Sequence, residues 1–200
     1  MDPAPPAAPL DSDSLARLIE ANRDRLLRLL RLRLGPALTR RVGDEDALHE
    51  TFLAAQTRLA HAAAFQNPYL WLRVVAEQTA VDLVRRHLGA QARDLRREAV
   101  DGHSAATALI DRLPDRSGNP SRPLRRAEAL EALEAALATV SAADREILLL
   151  RHAEELSNQE AAAVLAISEK AASLRYVRAL ARLQSACAAR GLSEGDLHGR

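Results

Sequence analysis

Apolar residues recur at helical spacing along most of the chain, and this pattern constrains the fold more than any other feature. Aromatic residues are only 2% of the 200 residues, whereas Ala, Leu, Arg and Glu, which favour helices, are abundant. We therefore predict an all-α fold. The first periodic run places six side chains on one helix face and ends at Gly35-Pro36: Leu15, Leu18, Ile19, Leu26, Leu29 and Leu30.

Prolines and glycines interrupt the periodicity in the middle of the chain, between Gly89 and Arg126. We therefore expect two small helical domains, residues 14–90 and 127–190, joined by a flexible linker at 91–126. The chain is expected to begin with a flexible extension, residues 1–13, and to end with a tail, residues 191–200. In the first domain, helices are predicted to begin near Asp44 and at Asn67-Pro68.

Composition excludes several classes of protein. The 28 basic and 27 acidic residues nearly cancel, so the chain is not a polybasic binder. Cys187 is the only cysteine, which excludes an internal disulfide and a multi-cysteine zinc site. The sequence shows neither a signal peptide nor a membrane-spanning run. It also contains no metal-ligand spacing of histidines, no phosphate loop and no nucleophile elbow. We expect a cytoplasmic protein that is not an enzyme and needs no metal or other cofactor.

Serine residues mark the helix starts in the second domain. Ser141, Ser157 and Ser168 are predicted N-caps, and Glu160 completes a capping box with Ser157. A short helix after Ser157 and a longer one after Ser168, joined by a tight turn, fit a helix-turn-helix. Cys187 lies near the end of the longer helix and is expected to be a structural thiol.

The longer helix has a basic face opposite its predicted core stripe. Residues 168–183 contain four bases and one acid. Such a face suits insertion into the major groove of DNA, although a solvated amphipathic helix would have the same pattern. The core stripe comprises Ala172, Tyr176, Ala179 and Leu183, and the opposite face comprises Lys170, Leu174, Arg175, Arg178 and Arg182.

Three segments resemble those of a known family. The segments GDEDALHETFLAAQ, residues 43–56, and YLWLRVVAEQTAVDLVRR, residues 69–86, are similar to the second conserved region of sigma-70 family RNA polymerase sigma factors of the extracytoplasmic-function type. Residues 135–183, from AALATVSAAD to ALARL, resemble the fourth region of the same family.

The resemblance implies roles for three groups of residues. An acidic helix would dock on the β′ clamp helices of the polymerase, although acids at a helix N-terminus can act only as dipole partners. The polymerase-binding residues would be Asp44, Glu45, Asp46, His49 and Glu50. Residues contacting the minus-ten promoter element would be Gln66, Asn67, Tyr69, Gln78, Arg85 and Arg86. Those contacting the minus-thirty-five element would be Lys170, Ser173, Arg175 and Arg178.

Other positions bear on the same surfaces. A solvated basic helix end is the alternative reading of Arg85 and Arg86. We expect Trp71 to lie in the core and Asp82 to pair with a nearby arginine. The sequence departs from the family pattern at His49, at Gln78 and at residues 170–172, which affects promoter preference more than the fold.

The resemblance implies an alternative sigma factor that binds core RNA polymerase, through the β′ clamp helices and the β flap, and promoter DNA. An anti-sigma factor is a further expected partner. We expect no binding to a membrane. One alternative is a helix-turn-helix transcriptional regulator that binds an operator without polymerase. Another is a sigma-like protein that has lost promoter opening, which the scarcity of aromatic residues leaves open.

Overall fold

All regular structure among the described residues, 10–88, 102–110 and 122–192, is helical in the computed structural model. The prediction of an all-α fold is confirmed. The chain divides into two compact units, Met1–Arg97 and Glu98–Arg200, and the division falls within the predicted linker. No helix of the described part is long and apolar enough to cross a membrane.

The first unit is built on leucine-rich helices that bury a common face. Helices α2, α3 and α4 pack against one another, and α1 contacts both α2 and α3. Of the six residues predicted to share a face, only Leu18 is half-buried, and the other five are buried. The elements are α1 Ser12–Ala21, α2 Arg23–Val42, α3 Asp44–Gln56, a 3₁₀ helix Leu59–Ala64 and α4 Pro68–Leu88.

Two breaks shape the N-terminal helices. Asn22 separates α1 from α2, and its Nδ2 donates a hydrogen bond to the Leu18 carbonyl at 2.9 Å. Gly35 interrupts α2 with φ of +69°, as the Gly35-Pro36 pair predicts. Helix α1 begins at Ser12. The predicted N-terminal extension, residues 1–13, therefore includes two residues that belong to this helix. Trp71 is 2% exposed, which confirms its place in the core.

The second unit begins earlier than predicted. Residues 102–110 form a helix that packs against the next described helix, and that helix begins at Arg122. The prediction of a linker throughout 91–126 is therefore wrong for residues 102–110 and 122–126. Apolar side chains explain the difference, because Ala105, Ala106, Leu109 and Ile110 are all buried. The elements are α5 Gly102–Ile110, α6 Arg122–Thr139, α7 Ala142–Leu148, a π-helical turn Leu149–Ala153, α8 Asn158–Val164 and α9 Glu169–Ala188. Residues 91–101 and 111–121 of the predicted linker lie outside the described residues.

All three predicted serine caps are confirmed. The Ser141 Oγ accepts a hydrogen bond from the Asp144 amide, and the Ser168 Oγ accepts one from the Ala171 amide. The Ser157 hydroxyl and the Glu160 carboxylate form a complete capping box. These bonds satisfy amides that have no partner inside the helix, and they fix where α7, α8 and α9 begin.

The turn between α8 and α9 holds an alanine in the left-handed conformation. Ala166 has φ of +52°. The Ile167 amide donates to the Ala162 carbonyl at 3.0 Å, and the Ala166 amide donates to the Ala163 carbonyl at 3.3 Å. This is the hydrogen-bond pattern of a Schellman C-cap, in which glycine normally occupies the left-handed position.

Replacing Ala166 with glycine should stabilise the second unit. An L-residue with a Cβ is strained in this conformation by roughly 1–2 kcal/mol, more than glycine loses through its greater freedom in the unfolded chain. We expect Ala166→Gly to raise the free energy of unfolding by about 0.5–1 kcal/mol in urea unfolding followed by circular dichroism. The control Ala181→Gly, at an exposed position inside α9, should lower it by about 1 kcal/mol. Equal destabilisation by both changes would contradict the strain at Ala166.

Candidate nucleic-acid interface

Helix α9 is held against the second unit by its predicted core stripe. It packs against α6, α7 and α8. Ala172 and Ala179 are fully buried and Leu183 is 8% exposed. Tyr176 is half-buried, and its hydroxyl lies 3.0 Å from the Nε2 of His152. The opposite face of the helix therefore points to solvent.

Of the predicted DNA-contacting bases of α9, Lys170 and Arg178 lie on that face, whereas Arg175 lies nearer the core stripe, about 60° from Ala172. Lys170 and Arg178 are exposed, and Ser173 and Arg175 are half-buried. Among the residues that the structure describes, none forms an ion pair with Lys170, Arg175 or Arg178. The positive charge of these three side chains is therefore not neutralised by a described acid.

A fourth base on α9 has a structural role instead. Arg182 pairs with Asp144, whose side chain is buried, and this ion pair joins α9 to the first turn of α7. Arg145, beside Asp144, donates a hydrogen bond to the Leu137 carbonyl at 3.0 Å and so caps the end of α6. The structure thus separates arginines that hold the unit together from arginines that project outward.

In the first unit, three of the five predicted polymerase-binding residues are already paired with arginines. Glu45 pairs with Arg23, and Arg86 donates to Glu50 at 2.8 Å. The Arg31 Nε lies 2.9 Å from the Asp44 Oδ2. Each of these pairs joins different helices, so the acids of α3 do more than interact with the dipole of their own helix.

The other two members of this group differ from the paired acids. Asp46 and His49 are exposed and form no ion pair with a described residue. They lie one turn apart on α3, and Leu53, which is 46% exposed, follows on the same face one turn later. Leu53 was not among the predicted polymerase-binding residues, although its spacing from Asp46 and His49 is visible in the sequence.

Tyr69, which was predicted to contact DNA, lies in the core of the first unit. Its side chain is only 3% exposed, and the guanidinium of Arg25 lies 3.8 Å from the centre of its ring. A cation over the ring and the surrounding core occupy the surface that a base would need for stacking. Asn67, beside it, is half-buried, and its Oδ1 accepts a hydrogen bond from the Tyr69 amide at 3.0 Å. Asn67 therefore caps α4, and the predicted start of this helix at Asn67-Pro68 is confirmed.

The remaining predicted minus-ten residues are exposed. Gln66 lies in the loop before α4, and Gln78 accepts a hydrogen bond from Arg58. Arg85 lies 3.5 Å from Asp82, as expected for a nearby arginine and acid one turn apart. The structure places Gln78 and Arg85 two turns apart on the outer face of α4, whereas Arg86 is turned toward Glu50 of α3.

The Glu50–Arg86 pair has an electrostatic consequence that can be measured. The hydrogen bond from Arg86 lowers the pKa of Glu50 below its ordinary value. Stabilisation from this pair is present above the ordinary pKa of glutamate and is lost as the pH falls through the lowered pKa. The side chain of Arg86 is 53% exposed and that of Glu50 is 41% exposed, so the ion pair contributes little to the free energy of unfolding.

Removing the partner should return Glu50 to ordinary titration. We expect Arg86→Ala to raise the pKa of Glu50, measured by NMR titration of its side-chain carboxyl. The control Arg85→Ala removes a neighbouring base whose partner is Asp82, and it should leave the pKa of Glu50 low. If Glu50 titrated alike in wild type and Arg86→Ala, the contact would not exist in solution.

Comparison with known proteins gives an independent view of these surfaces. Residues 130–183, which include α7, α8 and most of α9, match the family model described as Sigma-70, region 4. The chain is 32% identical over 154 residues to a probable RNA polymerase sigma factor, RfaY, of Xanthomonas campestris pv. campestris. That alignment covers 74% of this chain and 35% of the relative, so the chain spans about a third of the relative's length. No solved structure gives a significant match.

These two matches agree with the resemblance found in the sequence and with a helical fold that contains a helix-turn-helix. Residues 130–183 are thus similar to region 4 of sigma-70 family RNA polymerase sigma factors, and the chain is similar to a probable RNA polymerase sigma factor.

Proposed function

We propose that this protein is an alternative sigma factor, which binds core RNA polymerase and directs it to promoters. The observation that carries the proposal is the basic outer face of α9. Lys170 and Arg178 project from a helix whose other side is anchored by buried alanines, and Arg175 is half-buried at the edge of this face. No described acid pairs with any of the three. A helix-turn-helix that matches sigma region 4 supplies the context for this face.

In this proposal α9 enters the major groove at the minus-thirty-five element. Arginine can donate two hydrogen bonds to a guanine, and lysine and arginine both neutralise phosphates. Ser173 is short enough to permit close approach and can donate or accept a hydrogen bond. Arg182 takes no part, because its guanidinium is held by Asp144.

The first unit would contact the minus-ten element through exposed polar side chains. Gln66, Gln78 and Arg85 are the candidates that the structure leaves accessible, and Asn67 supports them by capping α4. Tyr69 is not among these candidates, because its side chain is buried. A separated DNA strand is normally bound by basic and aromatic side chains together. Because Tyr69 is buried, this surface would rely more on charge and hydrogen bonds.

Docking on the β′ clamp helices would use the surface of α3. Asp46 and His49 can bind a partner without breaking an ion pair to a described residue. Each of the other three acids would first have to release the arginine with which it is paired, and these acids are Asp44, Glu45 and Glu50. The second unit would contact the β flap. An anti-sigma factor that covers either surface is a further expected partner.

The protein would act in the cytoplasm as a binding subunit and not as an enzyme. Cys187 fits this role, because it is fully buried and burial raises the pKa of its thiol, which disfavours the reactive thiolate. A regulator that binds an operator without polymerase is the competing function, and it shares the helix-turn-helix. Association with polymerase distinguishes the two.

Transcription with core polymerase of the source organism tests the proposal. The full chain should bind core enzyme and give promoter-dependent run-off transcripts from genomic fragments. Asp46→Lys should weaken core binding at least about tenfold, or ~1.4 kcal/mol, because it places a cation on an accessible docking position. The free energy of unfolding should fall only by about 0.3–1 kcal/mol, because Asp46 forms no described ion pair but lies in the first turn of α3, where the helix dipole favours an acid.

The control for that experiment is Glu128→Lys, the same change of charge at an exposed position of α6. It should leave core binding intact. Tight binding of an operator by the wild-type chain alone, together with no association with core polymerase, would instead support the regulator.

The basic face of α9 gives a second test. Arg178→Ala should weaken binding of the holoenzyme to promoter duplex by about 1–3 kcal/mol if the side chain reads a base, with altered preference at one position. The control Arg190→Ala removes an exposed arginine just beyond α9, which donates to the Ala186 carbonyl. Equal affinities for the two variants would assign Arg178 to the solvated surface.

A further inference from the structure

Two large apolar side chains stand in the middle of the basic face of α9. Leu174 is 49% exposed and Val177 is 59% exposed, although both belong to a helix with a well-buried opposite side. Only two other large apolar side chains in the described part of the chain are comparably exposed, and both lie in the first unit. An exposed pair one turn apart, at the centre of a binding surface, calls for an explanation in terms of a ligand.

The helix geometry places Leu174 at the outermost line of this face. Successive residues of an α-helix are about 100° apart, so Leu174 lies about 160° from the fully buried Ala172. Lys170 and Arg178 are four residues before and after it, and the three side chains form one row along the helix. A ligand approaching α9 would therefore meet Leu174 first, between two cations.

The surroundings of Leu174 fit duplex DNA better than a protein. Lys170, Arg175 and Arg178 carry positive charge that no described acid neutralises, which favours an anionic ligand. A stable protein interface buries about 800 Å² on each partner around a cluster of apolar or aromatic anchors, whereas this face offers two aliphatic side chains flanked by cations. In the major groove, phosphates line both walls and the C5-methyl group of thymine is the apolar feature of the floor.

We propose that Leu174 is a specificity-determining residue that reads thymine, through van der Waals contact between its side chain and the C5-methyl group, while Val177 excludes water beside it. This inference rests on the proposed function, since it requires α9 to enter the major groove. It adds a base preference that the neighbouring lysine and arginines do not provide, because their hydrogen bonds go to guanine or to phosphates.

The test removes the methyl group from the DNA and leaves the protein unchanged. Duplexes that the holoenzyme binds are first selected from a randomised upstream element. Each selected thymine is then replaced by deoxyuridine, which differs only by the C5-methyl group. At one or two positions we expect an approximately fourfold loss of affinity, the factor that corresponds to ~0.8 kcal/mol for one buried methyl-sized group.

The variant Leu174→Ala should bind thymine and deoxyuridine duplexes equally, because the contact that senses the methyl group is gone. The control Ser185→Ala, exposed on the same helix about three turns further along, should keep the wild-type discrimination. The loss of affinity for deoxyuridine duplexes is measured with the wild-type protein. A folding defect in a variant therefore cannot cause it.

Three results would overturn the inference while leaving the proposed function intact. The selected element could lack thymine, wild type could bind both duplexes equally, or Leu174→Ala could still discriminate between them. If Leu174→Ala lost binding to an acidic protein regulator but still distinguished thymine from deoxyuridine, Leu174 and Val177 would belong to a protein interface instead. A holoenzyme that selects no duplex at all would contradict the proposed function itself.

Discussion

The helix-turn-helix depends on small side chains that are buried in both of its helices. Helices α7 and α8 contain seven residues each, too few to be stable alone, so tertiary contacts must hold them. Ala161 and Ala162 of α8 and Ala172 of α9 are buried, and methyl groups let the two backbones approach closely. This approach fixes which side of α9 faces inward. The outward direction of Lys170, Leu174 and Arg178 follows from it, and with it every binding property proposed for the second unit.

Arginine serves opposite purposes in the two kinds of position described here. Arg182 and Arg145 tie α9 and α6 to the first turn of α7 through an acid and a carbonyl, so their charges are used inside the unit. Arg178 projects from α9 without such a partner among the described residues. Sequence composition counts these side chains alike. Their surroundings decide which of them can attract a phosphate or a base.

Local signals predicted much of the fold, and long-range contacts explain what they missed. The caps at Ser141, Ser157 and Ser168, the break at Gly35 and the start of α4 depend on neighbouring residues, which a sequence displays directly. The pairs Arg23–Glu45 and Arg86–Glu50 join residues 22 and 36 positions apart, and the burial of Tyr69 depends on Arg25 of another helix. Such contacts exist only once the helices are packed. The sequence could therefore suggest which side chains belong to the candidate site, but not which of them are already paired with a residue of another helix.

The Glu50–Arg86 contact joins two residues for which the family resemblance implies different partners, polymerase for Glu50 and DNA for Arg86. A protein surface that captures the carboxylate of Glu50 must release the guanidinium of Arg86, and a phosphate that captures Arg86 must likewise release Glu50. Binding at either residue therefore removes a competitor of the other ligand, and thermodynamic linkage makes this assistance reciprocal. The pair is exposed and therefore weak, so the coupling would be modest. If polymerase binds Glu50 and DNA binds Arg86, as the resemblance implies, each of the two partners would favour binding of the other.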